Sequence, residues 1–283
     1  MPIERTVPRK GYWHFFIGIK GAVSSMKGRI ALVTGGTGGI GTAICQQLAK
    51  QGVRVVAGYN QGGPNGERAK AWQAKQAEEG FAFDIMYGDV SNYESSLAMV
   101  EGIESTIGPI DILVNNAGLA AGLDTIQEGN IQDWDDMIDT NVKGLLYVTR
   151  EILPQMIARK AGHIINIGSI AGHAVYPKGA VYCATKQAVN AITNGLRLDL
   201  LGTKIRVSTV DPGAVETNFS IVRFKGDTQR AAAVYEGMEA LTPNDVADAV
   251  LYCATRPPHI NISEVIIMPT DQASAGMISR RNS

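Results

Sequence analysis

The sequence is poor in the groups from which metal and disulfide sites are built. Its 283 residues hold three cysteines, Cys45, Cys183 and Cys253, far apart and in no metal-ligand spacing. An odd count without a framework argues for reduced thiols in a cytoplasmic setting, acting as small core residues. The four histidines, His14, His163, His173 and His259, are equally scattered, so no metal is expected. An excess of one charge is missing too: 26 basic against 27 acidic residues leave a net charge of −1. That excludes an electrostatic case for nucleic acid, which needs a basic face or stripe. No stretch approaches the roughly 18 apolar residues that span a bilayer, so no membrane contact is expected. The apolar run from Tyr12 to Ile17 is short and soon followed by Lys20, unlike a secretory signal.

What is present is ordinary for a globular domain: 45% hydrophobic and 19% charged residues suffice for a sizeable core. Residues 1–25, with Arg5, Arg9, Lys10 and Lys20, read as an N-terminal extension, and Met26 stands as a candidate start directly before the first strand. Beyond it, short aliphatic runs alternate with helix-length segments. Residues 30–33, 53–57, 81–87, 110–114, 163–167, 205–210 and 265–268 are the expected strands. After the first, Ile40, Ile44 and Leu48 form one apolar stripe of a helix that Gly52 stops. A Gly/Pro/Asn-rich loop is expected over residues 58–66 and a polar helix over 67–80. Strands apolar on both faces and separated by helices indicate a parallel sheet covered on both sides. The expected fold is therefore α/β: a Rossmann-type, doubly wound parallel sheet of about seven strands forming one domain over residues 26–283.

Between the first strand and first helix lies Thr34-Gly35-Gly36-Thr37-Gly38-Gly39-Ile40-Gly41. Glycines there let the backbone approach a pyrophosphate, and the helix start offers N–H groups and a positive dipole end. No Gly-Lys-Ser/Thr follows, so this is not a P-loop. The second strand ends in Ala57-Gly58-Tyr59-Asn60-Gln61, with no carboxylate for the ribose hydroxyls of NAD. Arg68 lies in the next loop or helical turn. This favours NADP, with Tyr59, Asn60 and Arg68 on the adenosine side.

Tyr182-Cys183-Ala184-Thr185-Lys186 places a phenol and an ammonium one helical turn apart. A free tyrosine titrates near 10, and a neighbouring lysine cation should draw it toward the working range. Ser169 follows the fifth strand, at the edge where ligand sites of such sheets lie, and suits a hold on a substrate oxygen. His173 sits in the loop before Tyr182 and is a further candidate for substrate contact, whereas His163, starting a strand, reads as structural.

From about Gly28 onward the chain resembles the short-chain dehydrogenases/reductases. The resemblance rests on the glycine turn, Asp89, Asn115-Asn116-Ala117-Gly118, Asn141, Ser169, Tyr182-x-x-x-Lys186 and Pro212-Gly213, all in order. It implies an NADP-linked alcohol dehydrogenase or ketoreductase in which Tyr182 exchanges the proton beside Ser169 and Lys186. It also implies that Asp89 with Val90 lies against the adenine, and that Asn116, Ala117 and Gly118 line the adenosine side. Lys186 would bind the nicotinamide ribose, Asn141 would hold a water, and Pro212, Gly213, Val215 and Thr217 would cover the nicotinamide. A homotetramer is implied through the helices carrying Asn141 and Tyr182.

Within that family, residues 29–101 resemble acetoacetyl-CoA reductases. From Asp111 onward, including Val222-Arg223-Phe224-Lys225, the chain resembles NADP-dependent 3-hydroxy acid dehydrogenases acting on serine and allo-threonine. A mosaic joined near residues 101–111 is one reading. The second half holds the reacting end, so a small 3-hydroxy acid is the expected substrate. Arg223, Lys225 and Lys178 are candidates for its carboxylate. The alternatives are a 3-oxoacyl-CoA reductase and a non-catalytic NADP-sensing protein.

Overall fold

The aliphatic runs become strands wherever they meet a neighbour of matching register. A computed structural model describes residues 25–281; the expected extension, Ser25 apart, lies outside the described residues. Seven strands form one sheet: β1 (Ile30–Val33), β2 (Arg54–Tyr59), β3 (Asp84–Tyr87), β4 (Ile112–Asn115), β5 (Gly162–Ile167), β6 (Ile205–Pro212) and β7 (Glu264–Ile267). Their order is β3-β2-β1-β4-β5-β6-β7 and every pairing is parallel. The order reverses between β1 and β4, which opens a crevice at their carboxyl ends.

Alternation along each strand divides the core into two layers. Ala31, Val33, Ile112, Val114, Ile165 and Val210 face α1 (Gly39–Lys50) and the later helix over Pro243–Ala254, with Trp72 of α2 (Glu67–Glu78) at the margin. Leu32, Val56, Leu113, Ile164 and Val207 face α3 (Tyr93–Thr106), a helix over Leu145–Arg159 and one over Ala180–Asp199. In chain order these and the shorter helices are α4 (Ile131–Ile138), α5 (Leu145–Arg159), α6 (Ala180–Asp199), α7 (Phe219–Arg223), α8 (Thr228–Ala233) and α9 (Pro243–Ala254). Each fully buried leucine or isoleucine contributes about 1.5–3 kcal/mol, and both layers are rich in them. No helix of the described residues is long and apolar enough to cross a membrane.

The strands differ from expectation at several ends, mostly by one or two residues. The third strand begins at Asp84 rather than at residue 81, because Phe81 stacks on Phe83 (5.7 Å) and Phe83 on Trp72 (5.3 Å) instead of entering the ladder. β2 runs on to Tyr59, since Gly58 and Tyr59 pair with Met86 and Tyr87, so the loop starts two residues later. The stretch after Pro212-Gly213 contains α7 and α8, and a hairpin of β8 (Gln272–Ser274) and β9 (Met277–Ile278) follows the sheet. Cys45, Cys183 and Cys253 are free and buried. Burial pushes the Cys45 thiol up and Cys253 to about 11, which keeps both unreactive. His163 is buried on β5 and bonded to Ser208 Oγ (2.8 Å), a structural role as expected.

Candidate active site

The turn from β1 into α1 is shaped by what a side chain would strike. A Cβ on Gly36 would lie 2.8 Å from Ala57 Cα, and one on Gly41 2.3 Å from the Gly35 carbonyl. Gly36 N–H is fixed to Gly58 O (2.9 Å), so loop and sheet cannot separate to admit them. Gly38 and Gly39 are exposed on the open side, with Thr37 beside them and Ile40 packed back on the core. α1 starts with no side-chain cap and no acid in its first turn. A side-chain-free turn before an uncapped helix start fits a pyrophosphate. Thr217 approaches from the far side, its methyl 3.2 Å from where a Cβ on Gly39 would stand. It belongs to the strap after Pro212 and Gly213, on which Val215 is buried and bridges to Leu241.

Asn115-Asn116-Ala117-Gly118 is more than a turn. Thr34 Oγ1 accepts from the N–H groups of Asn116 and Ala117 (both 3.0 Å), and Asn116 Nδ2 donates to Thr34 O (2.9 Å), which locks the glycine turn to β4. Asn115 Nδ2 donates to Thr149 Oγ1 and Asn166 Oδ1, and Asn166 Nδ2 to Thr193 Oγ1, a buried chain that ties β4 and β5 to α5 and α6. Sequence reasoning missed this chain, because its partners lie 27–51 residues apart. Asn141 sits in a π-helical turn, Asp139–Gly144, between α4 and α5. Its amide brackets the Leu119 backbone, accepting from N–H (2.9 Å) and donating to C=O (2.8 Å), and donates as well to Thr185 Oγ1 (3.1 Å). A Cβ on Gly118 would stand 3.2 Å from Asn141 Oδ1 and 3.6 Å from Lys186 Nζ, which brings these three together.

On the adenosine side the fit is looser. Asn60 and Arg68 are exposed around the end of β2. The Tyr59 ring is engaged edge-on with Tyr87 (5.8 Å), and its hydroxyl fills the place of a Cβ on Gly66. Asp89, beyond β3, is held by Ser91 N–H and Oγ–H, with Val90 buried next to it.

Ser169 lies just beyond β5 and caps a short 3-10 turn, its Oγ accepting from Ala171 N–H (3.1 Å). Ser169 also acts on Tyr182, on the first turn of α6, in favour of its ionised form. The structure reverses the expected direction for this tyrosine: burial, then the neighbouring Tyr176, push the phenol well above its ordinary value, against opposing pulls from Ser169 and Arg223. The reason is that shielding penalises a phenolate more than these neighbours favour it. Lys186 is buried on the same helix and donates from Nζ to Ile167 O (2.9 Å). Burial brings its ammonium down to about 8, and the Asp211 carboxylate opposes that fall. Asp211, fully buried on β6, accepts from Thr209 Oγ1 (2.6 Å). His173, a candidate for substrate contact, is instead bonded to Asp211 through Nε2 (2.7 Å) and lies 3.7 Å from Glu264. Its place is behind the site, because the 3-10 turn after Ser169 carries it toward β6.

The substrate candidates divide. Arg223 at the end of α7 lies 5.9 Å from the Tyr182 ring centre and 5.4 Å from that of Tyr176. Its Nε donates to Gly122 O (3.1 Å) while its carbonyl accepts from Gly122 N–H. Lys225 is paired with Asp133 (2.9 Å) rather than facing the phenol. Between them remains a chamber of only about 20 Å³, the room of a water, lined by Tyr182, Arg223, Lys178, Asp124, Asp133 and Trp134 among others. Asp133 and Trp134 carried no sequence signal; the fold of α4 against the strap selects them.

The short chain dehydrogenase family model matches residues 29–227. An NADP-dependent 3-hydroxy acid dehydrogenase, YdfG, of Salmonella typhi is 44% identical over 254 residues, 89% of this chain and 100% of that protein. The NADP-dependent 3-hydroxy acid dehydrogenase of Schizosaccharomyces pombe is 38% identical over 260 residues, 92% and 99% of the two chains. Among solved structures, the closed form of a serine dehydrogenase complexed with NADP+ superposes with a TM-score of 0.81 at 42% identity, covering 89% of this chain and 100% of that one. The likeness to YdfG spans residues on both sides of the junction that a mosaic would place near 101–111.

Proposed function

The chain belongs to the short chain dehydrogenase family, and we propose that it is an NADP-dependent oxidoreductase interconverting a small 3-hydroxy acid, of the serine and allo-threonine type, with its 3-oxo form. The observation that carries the reading is Tyr182, with Ser169 acting on its phenol, set in the wall of a chamber that Arg223 also lines. The relatives' printed activities point the same way.

Gly35, Gly36, Thr37, Gly38, Gly39, Ile40 and Gly41 would hold the pyrophosphate of NADP. Asn60 and Arg68, with Tyr59, would take the 2′-phosphate side. Asp89, Val90, Asn116, Ala117 and Gly118 would line the adenosine, and Pro212, Gly213, Val215 and Thr217 would cover the other end. When bound, NADP accepts a hydride from the carbon bearing the substrate oxygen, or returns one to it. Ser169 and Tyr182 hold that oxygen. Tyr182, kept neutral by its surroundings, donates the phenolic proton to a carbonyl oxygen in reduction and is left as phenolate; in oxidation it first gives that proton up toward the Lys186 side, and the phenolate then takes the hydroxyl proton. Lys186, one turn along α6 and titrating near 8, is the basic group placed to restore that proton, and Asp211 steadies its charge. Asn141 positions the Leu119 backbone and Gly118 beside the lysine, and one Oδ1 lone pair remains for a water. Arg223 takes the carboxylate. Lys225, through Asp133, latches the strap over the chamber.

Absorbance of the reduced nicotinamide tests the reading. Purified protein is given NADP+ with serine, allo-threonine and 3-hydroxy acids, or NADPH with acetoacetyl-CoA, with Tyr182→Phe as control. Turnover of the free acids, lost in the control, is expected. Turnover of acetoacetyl-CoA alone would make the enzyme a thioester reductase, and cofactor binding without any turnover would make it a sensor. A cytoplasmic homotetramer belongs to the same proposal. Ile138 on α4, Leu146 and Ile157 on α5 and Leu198 on α6 leave apolar surface for it, and sedimentation checks the mass.

A further inference from the structure

A larger cavity opens at the other end of the sheet. It holds about 480 Å³ at the amino-terminal edges of β1, β4, β5 and β6, walled by Arg29, Lys160, Lys204, Arg206, Arg256 and His259. Among the described residues the one acid in its lining is Asp111, which already accepts from Ile30 N–H (3.0 Å) and faces Arg159 at 3.9 Å. Five Lys and Arg side chains thus converge on one concavity in a chain whose net charge is −1.

The wall is fixed in place. Arg206 is 7% exposed and donates to Cys253 O (2.9 Å) and Ala254 O (3.0 Å) at the end of α9. Lys160 and Lys204 both have left-handed backbones, with φ of 51° and 70°. Glycine or asparagine is the usual occupant of such positions, because a longer side chain is strained there. The dipole of α5 accounts for a cation at Lys160, its C-cap. It does not account for Lys204, which precedes a strand. Crowding of like charge is visible in the neighbours. Burial and then Arg29 lower Arg206 to about 10. Burial, Arg206 and Arg29 hold His163, next to the cavity wall at Gly162, well below its ordinary value, and His163 Nδ1 has no hydrogen-bond partner.

We propose that this cavity is a binding site for a small polyanion of the phosphate type, remote from the active site. Cations delivered by four separate segments need a ligand with more than one negative charge, and Lys160 and Lys204 offer compact ammonium donors to phosphate oxygens. Such a ligand would relieve the repulsion now spread over Arg29, Arg206 and their neighbours. The arrangement is a local concavity rather than a stripe, which suits a small molecule and not a nucleic acid.

The test is calorimetric titration of inorganic pyrophosphate into enzyme saturated with NADP+, so that the glycine turn is filled, with sodium chloride of equal ionic strength as reference. The comparison protein is K160N/K204N, since asparagine tolerates the left-handed backbone. Saturable binding to the unaltered chain is expected, weakened about ten-fold in the variant, with kcat and KM the same in both. Pyrophosphate should also raise the unfolding temperature of the unaltered chain and not of the variant, because a ligand selective for the folded state stabilises it. Should the double variant fail to fold, Lys204→Asn alone is expected to lose about three-fold. Absence of saturable binding, or equal affinity in variant and parent, would overturn the proposal. Localisation rests on the variants, so it holds whatever the substrate of the active site.

Discussion

Between residues 34 and 41 the chain makes a site by withholding side chains; around Tyr182 it makes one by collecting them from three segments. In the glycine turn the working groups are backbone N–H groups and a helix end, held against β2 by Gly36 and against β4 by Thr34 and Asn116. Around the chamber the candidate groups are Ser169, Tyr182, Lys186 and Arg223, and their properties come from burial and from their neighbours. The first region is rigid and tolerates little added volume. The second is held by an ion pair and two hydrogen bonds to Gly122, few and local contacts compared with the turn's.

The sharpest division comes from Tyr182→Phe. It should lower kcat by about a thousand-fold, the scale of a positioned acid or base, and leave NADPH affinity, read by fluorescence, unchanged. Equal losses in both would mean that the two regions are not separable. From the other side, Gly41→Ala puts a methyl 2.3 Å from Gly35 O. Overpacking of about 1–3 kcal/mol is expected, seen as NADP affinity weakened about ten- to hundred-fold with kcat at saturation nearly intact. Arg223→Ala should raise KM for the free acids about ten-fold or more, the worth of a hydrogen bond to a charged group, while kcat changes little. A kcat loss without a KM change would move Arg223 from substrate binding to catalysis. Asp211→Asn removes the charge that opposes the fall of Lys186, so the lysine, now near 8, titrates lower. The pH profile of kcat should shift in the acid direction, and an unmoved profile would disconnect the carboxylate from the lysine. Least affected should be Lys225→Ala. Its ion pair with Asp133 is more than half exposed on the lysine side, and pairs of that kind are worth about 0.2–1 kcal/mol, a few-fold change in turnover at most.

Legibility in the sequence follows the same division. The strands β1, β4 and β5 and the helix α1 were readable because local periodicity and aliphatic runs specify them. The ends of β2 and β3 were not, since Gly58 and Tyr59 gain a strand partner only across the sheet and Phe81 loses one to a stack on Phe83. Ser169, Tyr182 and Lys186 stood out through family spacing. Asp133, Trp134 and Asp211 did not, because each acts through a partner far along the chain. His173 was misplaced for a related reason: proximity to Tyr182 in sequence says nothing of which side of the 3-10 turn it leaves from.

By itself the sequence determined the doubly wound layers and the glycine turn, because period-2 and period-3.6 patterns and the absence of side chains are local properties. It also singled out Ser169, Tyr182 and Lys186 as the candidates for the proton chemistry. Tertiary structure decided their electrostatic state, sending Tyr182 up where a neighbouring lysine suggested down. It also decided which cation lies beside Tyr182 and which pairs with Asp133, and it gathered basic residues from four segments into one cavity. Burial and long-range contact set those properties, and neither has a period along the chain.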